Sequence, residues 1–308
     1  MSVRPRQRES QAARSGLIRP SSLTLLLLSL TAPPLLSSDL VSGWSVAREA
    51  SQSDDLFNTG AGHLLSGGRA IAAPATPPDP RARRAERRWV EWVPLGPGAL
   101  PARRGPRGGS ALGRIQLAPF SLSRGELTLG LWRACRRARV CGPLAGGAGC
   151  SGDESADRRV SDEQPLRCLS WAQARRVARW LAARLPTPDE WRFASSGGRG
   201  WRFPWGRRPA NCERATFRRR GAGCGRGVPT PPCAKRAGDS PQGVCDLAGN
   251  LREWGTPLAG AALENPSQVW IYGGGYLDLG VALKSDRVSA MAPHRGASDL
   301  GVRLARDR

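Results

Sequence analysis

The chain has 308 residues, 40% of them apolar, and a formal net charge of +22. That is enough apolar material for a real core, and the length allows one large domain or two small ones. The charge does not define a nucleic-acid binder. Every basic residue except Lys235 and Lys284 is arginine, the arginines are dispersed, and much of the excess falls in 81–107, so no single patch stands out. Tryptophan dominates the aromatics, with 11 residues against 5 Phe and 2 Tyr. A core built here must rest on indoles, each large and each carrying one N–H to satisfy.

Residues 1–47 have the pattern of an export signal or a retained signal anchor. Arg4, Arg6, Arg8, Arg14 and Arg19 precede the apolar run SLTLLLLSL at 22–30, and small residues follow, with Ser45-Val46-Ala47 as one candidate cleavage site. The run is too short to span a bilayer comfortably. No cysteine precedes Cys135, which argues against a lipoprotein. Residues 48–88, ending in APATPPDPRARRAERR, have no sustained period and predict a disordered linker. Order is expected from WVEWVPL at 89–95 onward.

IQLAPFSLS, from Ile115, alternates partly and predicts a strand. Thr128 is placed to cap a helix carrying Leu131, Trp132 and Cys135 on one face. SWAQARRVARWLAARL at 170–185 predicts a second helix. Ser170 and Gln173 fit a capping box, and Trp171, Ala174, Val177, Ala178 and Leu181 form its apolar stripe. A third helix follows, capped by Thr187, with Pro188 first, Glu190 closing another capping box and Gly197-Gly198 at its end. Asp189 and Glu190 are adjacent carboxylates, but capping and the helix dipole account for both, so they read as scaffold rather than as a catalytic pair. Beyond 199 the chain predicts loops, with a short apolar strand at VWIY before Gly273, Gly274 and Gly275.

The eight cysteines are Cys135, Cys141, Cys150, Cys168, Cys212, Cys224, Cys233 and Cys245. In an exported chain they predict disulfides, and proximity groups them at 135–168 and 212–245. No C-x-x-C occurs, which removes the commonest zinc and redox spacings.

RLPTPDEWRFASSGG, FPWGRRPANC, GVCDLAGNLREW, YGGGYLDLG and DLGVRLARDR, with WVEWVPLGPGAL and QPLRCLSWAQA upstream, occur in the order of the formylglycine-generating enzyme (sulfatase-modifying factor) family, and residues 89–308 resemble it. The resemblance implies a single α+β, loop-rich domain of C-type-lectin-like type. It also implies calcium held among loops and an oxidase that converts a protein cysteine to formylglycine with copper(I) on two cysteines. The positions matching those cysteines are Asp278 and Leu283, and no cysteine follows Cys245. Leucine cannot ligate, and a lone aspartate suits copper(I) poorly. Copper and formylglycine formation are therefore not expected. Histidine-bound iron, used by relatives, is excluded by a chain with only His63 and His294.

The resemblance assigns one calcium set to Asp246 with the carbonyls of Leu247, Gly249 and Leu251, and a second to Asn211 with the carbonyl of Cys212. Oxygen donors from loops are what calcium prefers, although turn-forming roles explain Asp246 and Asn250 equally well. Gly273, Gly274, Gly275, Arg287, Gly301 and Arg303 match the family frame, with Tyr272 and Val302 replacing an arginine and a phenylalanine. Arg287 and Arg303 are expected to brace loops. The sequence thus predicts an exported, periplasmic, secreted or envelope-associated domain without catalysis that binds a peptide, a sugar or a protein. It predicts no nucleic-acid partner, and membrane contact only through a retained anchor. The alternatives are an enzyme using displaced thiols among Cys212, Cys224, Cys233 and Cys245, or an accessory partner of an active homologue.

Overall fold

The computed structural model describes residues 79–102, 113–219, 223–225, 227–258, 260–262 and 264–308. The expected signal segment and most of the expected linker lie outside the described residues. The end of that linker is a correction, because Pro80–Trp89 forms helix α1. Asp79 accepts the Arg81 N–H, and Pro80 takes the first helical turn. Ala82 and Ala85, three residues apart, are buried among residues of the second helix. Composition hides this helix because its buried face consists of two small alanines among arginines.

Strands β1 (Trp92–Leu95), β2 (Gly98–Pro101), β3 (Arg114–Leu117) and β4 (Phe120–Ser123) follow. The single strand expected at IQLAPFSLS is thus two. Pro119, which has no N–H to give a ladder, separates them. Helix α2 (Leu129–Arg137) starts on Thr128, whose Oγ1 accepts the Leu131 N–H. After β5 (Gly147–Ala148) comes α3 (Trp171–Trp180), with the full Ser170–Gln173 capping box. It is shorter than the stripe suggested. Ala182 takes φ +50 and turns the chain, so the Arg184 backbone pairs with Ala305 in both directions, at 2.9 and 2.8 Å.

Helix α4 (Pro188–Ser195) carries the Thr187–Glu190 capping box. Glu190 also receives two Arg184 N–H groups at 2.7 and 2.6 Å, so this carboxylate is engaged in the scaffold, while Asp189 lies 3.8 Å from Arg192. The remaining strands are β6 (Arg252–Pro257), β7 (Val269–Tyr272), β8 (Val288–Met291), β9 (Gly296–Ala297), β10 (Leu300–Gly301) and β11 (Ala305–Asp307).

β1, β4 and β11 form one antiparallel sheet with β4 central and wholly buried. β10, β6, β7 and β8 form a second, mixed sheet. β2 pairs with β3 and β5 with β9. The architecture is therefore the irregular α+β arrangement that the sequence predicted. Indoles anchor the core and most find acceptors. Trp171 Nε1 donates to the Gly255 carbonyl, Trp254 Nε1 to Leu169, and Trp191 Nε1 to Glu253.

All eight cysteines are bridged, as 135–141, 150–168, 212–224 and 233–245, within the two expected groups.

Each capping box should contribute about 1 kcal/mol. Ser170→Ala and Thr187→Ala should each lower the melting temperature by about 2–4 °C in a thermal scan. The loss should be larger for Thr187, whose Glu190 partner also holds Arg184.

Candidate functional site

The segment from Val244 to Trp254 curls through three left-handed residues, Asp246 (φ +53), Gly249 (φ +96) and Asn250 (φ +60). At Gly249 a Cβ would fall 2.6 Å from the Thr216 carbonyl, so only glycine fits. The curl turns acidic side chains inward. Asp246 Oδ2 accepts the Cys233 N–H at 2.5 Å. Asn250 Oδ1 accepts the Thr230 N–H at 2.9 Å, and Asn250 Nδ2 donates to Glu126 Oε2 at 2.8 Å. Glu126 Oε1 accepts the Leu251 N–H at 3.0 Å.

Arg303, fully buried, faces this group. Its Nε and Nη2 donate to Glu253 at 2.7–2.9 Å. Its Nη1 donates to the carbonyls of Ser123 and Arg124, and Nη2 also to Cys245. Three buried carboxylates, Glu126, Asp246 and Glu253, thus surround one guanidinium. Burial, with Asp246 and Glu253 nearby, pushes the Glu126 carboxyl well above the carboxylate range. Burial raises Asp246 to about 6 against the opposing pull of the Cys233 amide and Arg303.

The carboxylates of this hub are held by amides and by Arg303, and they are not gathered into one metal-ligand group among the described residues. Glu126 is pushed toward its neutral form by burial, and Asp246 is left as the acid with the fewest donors. Asp246, the carboxylate of the first expected calcium set, belongs to the hub, and Leu247, Gly249 and Leu251 lie on the same curl. Cys233 and Cys245 also approach Asp246, their ligand atoms all within 4.8 Å of one another, but the two sulfurs are bonded together and are not thiolates. The Asn211 set sits on another loop. Asn211 Oδ1 accepts the Arg214 N–H at 3.2 Å, so it caps a turn, and Cys212 is bridged to Cys224. Glu126 carries no motif of its own in the sequence. Its one signal is an acid set against Leu127 and Leu129, where a solvated residue would not be expected.

The two positions matching the family's copper thiols have other work. Asp278 Oδ2 accepts the Gly275 N–H at 2.9 Å and its carbonyl accepts the Arg218 N–H, so it forms a turn. Leu283 is fully buried in a small cluster with Phe203, Ala215, Phe217 and Ala248. A Cβ at Gly274 would fall 2.7 Å from Leu283 Cδ2, so the leucine fills the space beside the glycine run. Gly301 is equally constrained, with Leu251 Cδ1 2.6 Å and the Leu166 carbonyl 2.8 Å from a notional Cβ. Tyr272 lies 5.4 Å from Trp191, and Val302 is buried. Arg303 braces loops as expected. Arg287 does not follow it, for it is exposed and its side chain engages no partner among the described residues.

An irregular, loop-rich α+β domain with two larger sheets, a buried polar hub and an apolar plug beside its glycine run is the class defined by these features. The chain belongs to the family of sulfatase-modifying factor enzyme 1-like domains, whose model matches residues 77–308. It is 29% identical over 153 residues to the inactive C-alpha-formylglycine-generating enzyme 2 of Bos taurus, covering 46% of this chain and 50% of that protein. It is 32% identical over 109 residues to the formylglycine-generating enzyme of Mycobacterium tuberculosis, covering 32% of this chain and 36% of that one. The aligned region thus spans half or less of these curated relatives. Among solved structures, PvdO from Pseudomonas aeruginosa superposes with a TM-score of 0.59 at 23% identity, over 71% of this chain and 95% of that one. CarF gives 0.55 at 20% identity, over 71% and 98%. Both likenesses concern the fold.

Two outcomes follow from the hub. Arg303→Ala leaves Glu253 buried without its partner and should cost at least about 3 kcal/mol by chemical denaturation. The Glu253→Gln/Arg303→Met double variant should lose less than the two single variants summed. Asp246 is raised in the folded state, so the stability linked to its protonated form is present below about pH 4 and lost as pH rises through about 6. With a chelator present, unfolding free energy should fall across that window, and Asp246→Asn should flatten the fall.

Proposed function

We propose that this chain is an exported member of the family that binds a ligand and does not form formylglycine. The observation that carries the reading is chemical. The two positions where the family's oxidase holds copper(I) are Asp278 and Leu283, one spent on a turn and the other packed as an apolar plug. All eight cysteines are in disulfides, so no thiolate stands ready to bind a soft metal or attack a substrate. The bovine relative called inactive supports the same reading, and four bridges fit an oxidising compartment. The bridged Cys212–Cys224 and Cys233–Cys245 pairs count against the displaced-thiol alternative.

The domain's role in this reading is to present loops on a rigid scaffold to a peptide, sugar or protein. Calcium would bind at Asp246 with the carbonyls of Leu247, Gly249 and Leu251, supplying positive charge that the curl lacks. At about pH 7, millimolar calcium should raise the melting temperature of the wild type and leave Asp246→Ala nearly unchanged.

The test of the main reading uses the non-reduced protein. Alkylation followed by peptide mass mapping should label none of the eight cysteines. Incubation with copper and a cysteine-containing sulfatase-type peptide should yield no aldehyde. Copper-dependent aldehyde formation would sink the reading.

A further inference from the structure

A cleft of about 590 Å³ opens beside α4, away from the curl's own side chains. Its walls come from the end of β2, the C-terminal turn of α4, the loop 200–207 and residues 284–286. These walls are tied together. Arg192 Nη2 donates to the Pro101 carbonyl at 2.7 Å. The Ser285 N–H donates to the Arg202 carbonyl at 2.9 Å, and the Ser195 and Ser285 hydroxyls each donate to the other's carbonyl. The cleft is therefore preformed, which lowers the ordering cost of binding.

Its lining is cationic. Arg192, Arg202, Arg207 and Lys284 face one carboxylate, Asp286. Arg192 is held against Pro101 and lies 3.8 Å from Asp189. Arg202, Arg207 and Lys284 join no ion pair among the described residues. Trp201, half-exposed, lines the cleft, and the Arg199 guanidinium lies over its ring 5.2 Å from the centroid.

Ser196 makes the second observation, independent of charge. It lines the cleft at 2% exposure, and its hydroxyl has no hydrogen-bond partner among the described residues. A buried hydroxyl left without a partner is costly, and such groups in native proteins call for a ligand or a bound water.

We propose that this cleft binds a small ring-bearing ligand through a phosphate or sulfate ester. The ester oxygens would sit among Arg202, Arg207 and Lys284 and accept the Ser196 hydroxyl, while the ring lies along Trp201. A cleft of this size suits one sugar-sized ligand. Guanidinium forks match tetrahedral oxyanions with paired N–H groups. The proposal deepens the reading of a binding domain and rests on it.

The experiment is calorimetric titration of the full chain, disulfides intact, with glucose 6-phosphate, N-acetylglucosamine 6-sulfate and their neutral parents glucose and N-acetylglucosamine. Saturable binding of at least one ester, with none for the neutral sugars, is the expected result. Preference between the two esters assigns the source, and equal binding identifies the shared oxyanion as what is read. Arg202→Ser/Arg207→Ser should weaken binding at least tenfold. Ser196→Ala should weaken it severalfold with an unchanged or higher melting temperature, an effect that a merely structural serine would not give. Arg84→Ser/Arg88→Ser on α1 removes the same charge elsewhere and should leave affinity unchanged. Absence of ester binding, or an equal loss in the α1 variant, overturns the proposal. Either result leaves the non-catalytic reading standing, because that reading falls only to copper-dependent aldehyde formation.

Discussion

The buried guanidinium of Arg303 is the constraint around which the rest is arranged. Its donors reach Glu253 on β6, the Ser123 and Arg124 carbonyls at the end of β4, and the Cys245 carbonyl at the start of the curl. One side chain thereby fixes both sheets to the acidic loop between them. A charge buried without partners is untenable, so the carboxylates must come to it. Glu253 in turn accepts the Trp191 indole, which brings helix α4 into the same network. The polar hub and the aromatic core are thus held by shared residues. With little regular secondary structure to set its loops, the domain uses charge-assisted hydrogen bonds where a larger sheet would use ladders.

The excess acid in the hub has a second consequence. Glu126 and Asn250 are satisfied by each other and by backbone groups, while Asp246 has one amide from Cys233. The least-satisfied acid is therefore also the one on the tightest turn, with its backbone in the left-handed region. A proton relieves it.

Local signals were legible to different depths. Both capping boxes, the Thr128 cap and the two cysteine groups were readable because each depends on residues close in sequence. Helix α1 was not, because Ala82 and Ala85 bury a face too small to show a period among arginines. The length of α3 was misjudged because Leu181 continues the stripe while Ala182 turns the chain. Asp278 and Leu283 could be named from the family frame, but that the leucine plugs a space beside Gly274 is a tertiary fact. Glu126 lies more than a hundred residues from the Asn250 and Leu251 groups that satisfy it. The cleft's Ser196 was equally hidden, since an unpartnered hydroxyl is visible only once its neighbours are placed.

The four bridges join each cysteine to the next along the chain, with separations of 6, 18, 12 and 12 residues. Each closed loop restricts the unfolded chain modestly, by about 2–3 kcal/mol on entropic grounds. The order of pairing matters more for how the protein is made. In a chain exported into an oxidising compartment as it is made, every cysteine would meet its native partner before the following pair appears. The observed set is the one among 105 possible pairings of eight thiols in which each cysteine joins the next along the chain in strict order, even where another lies closer in sequence, as Cys224 does to Cys233. Maturation of this domain should therefore depend on an oxidant and little on an isomerase.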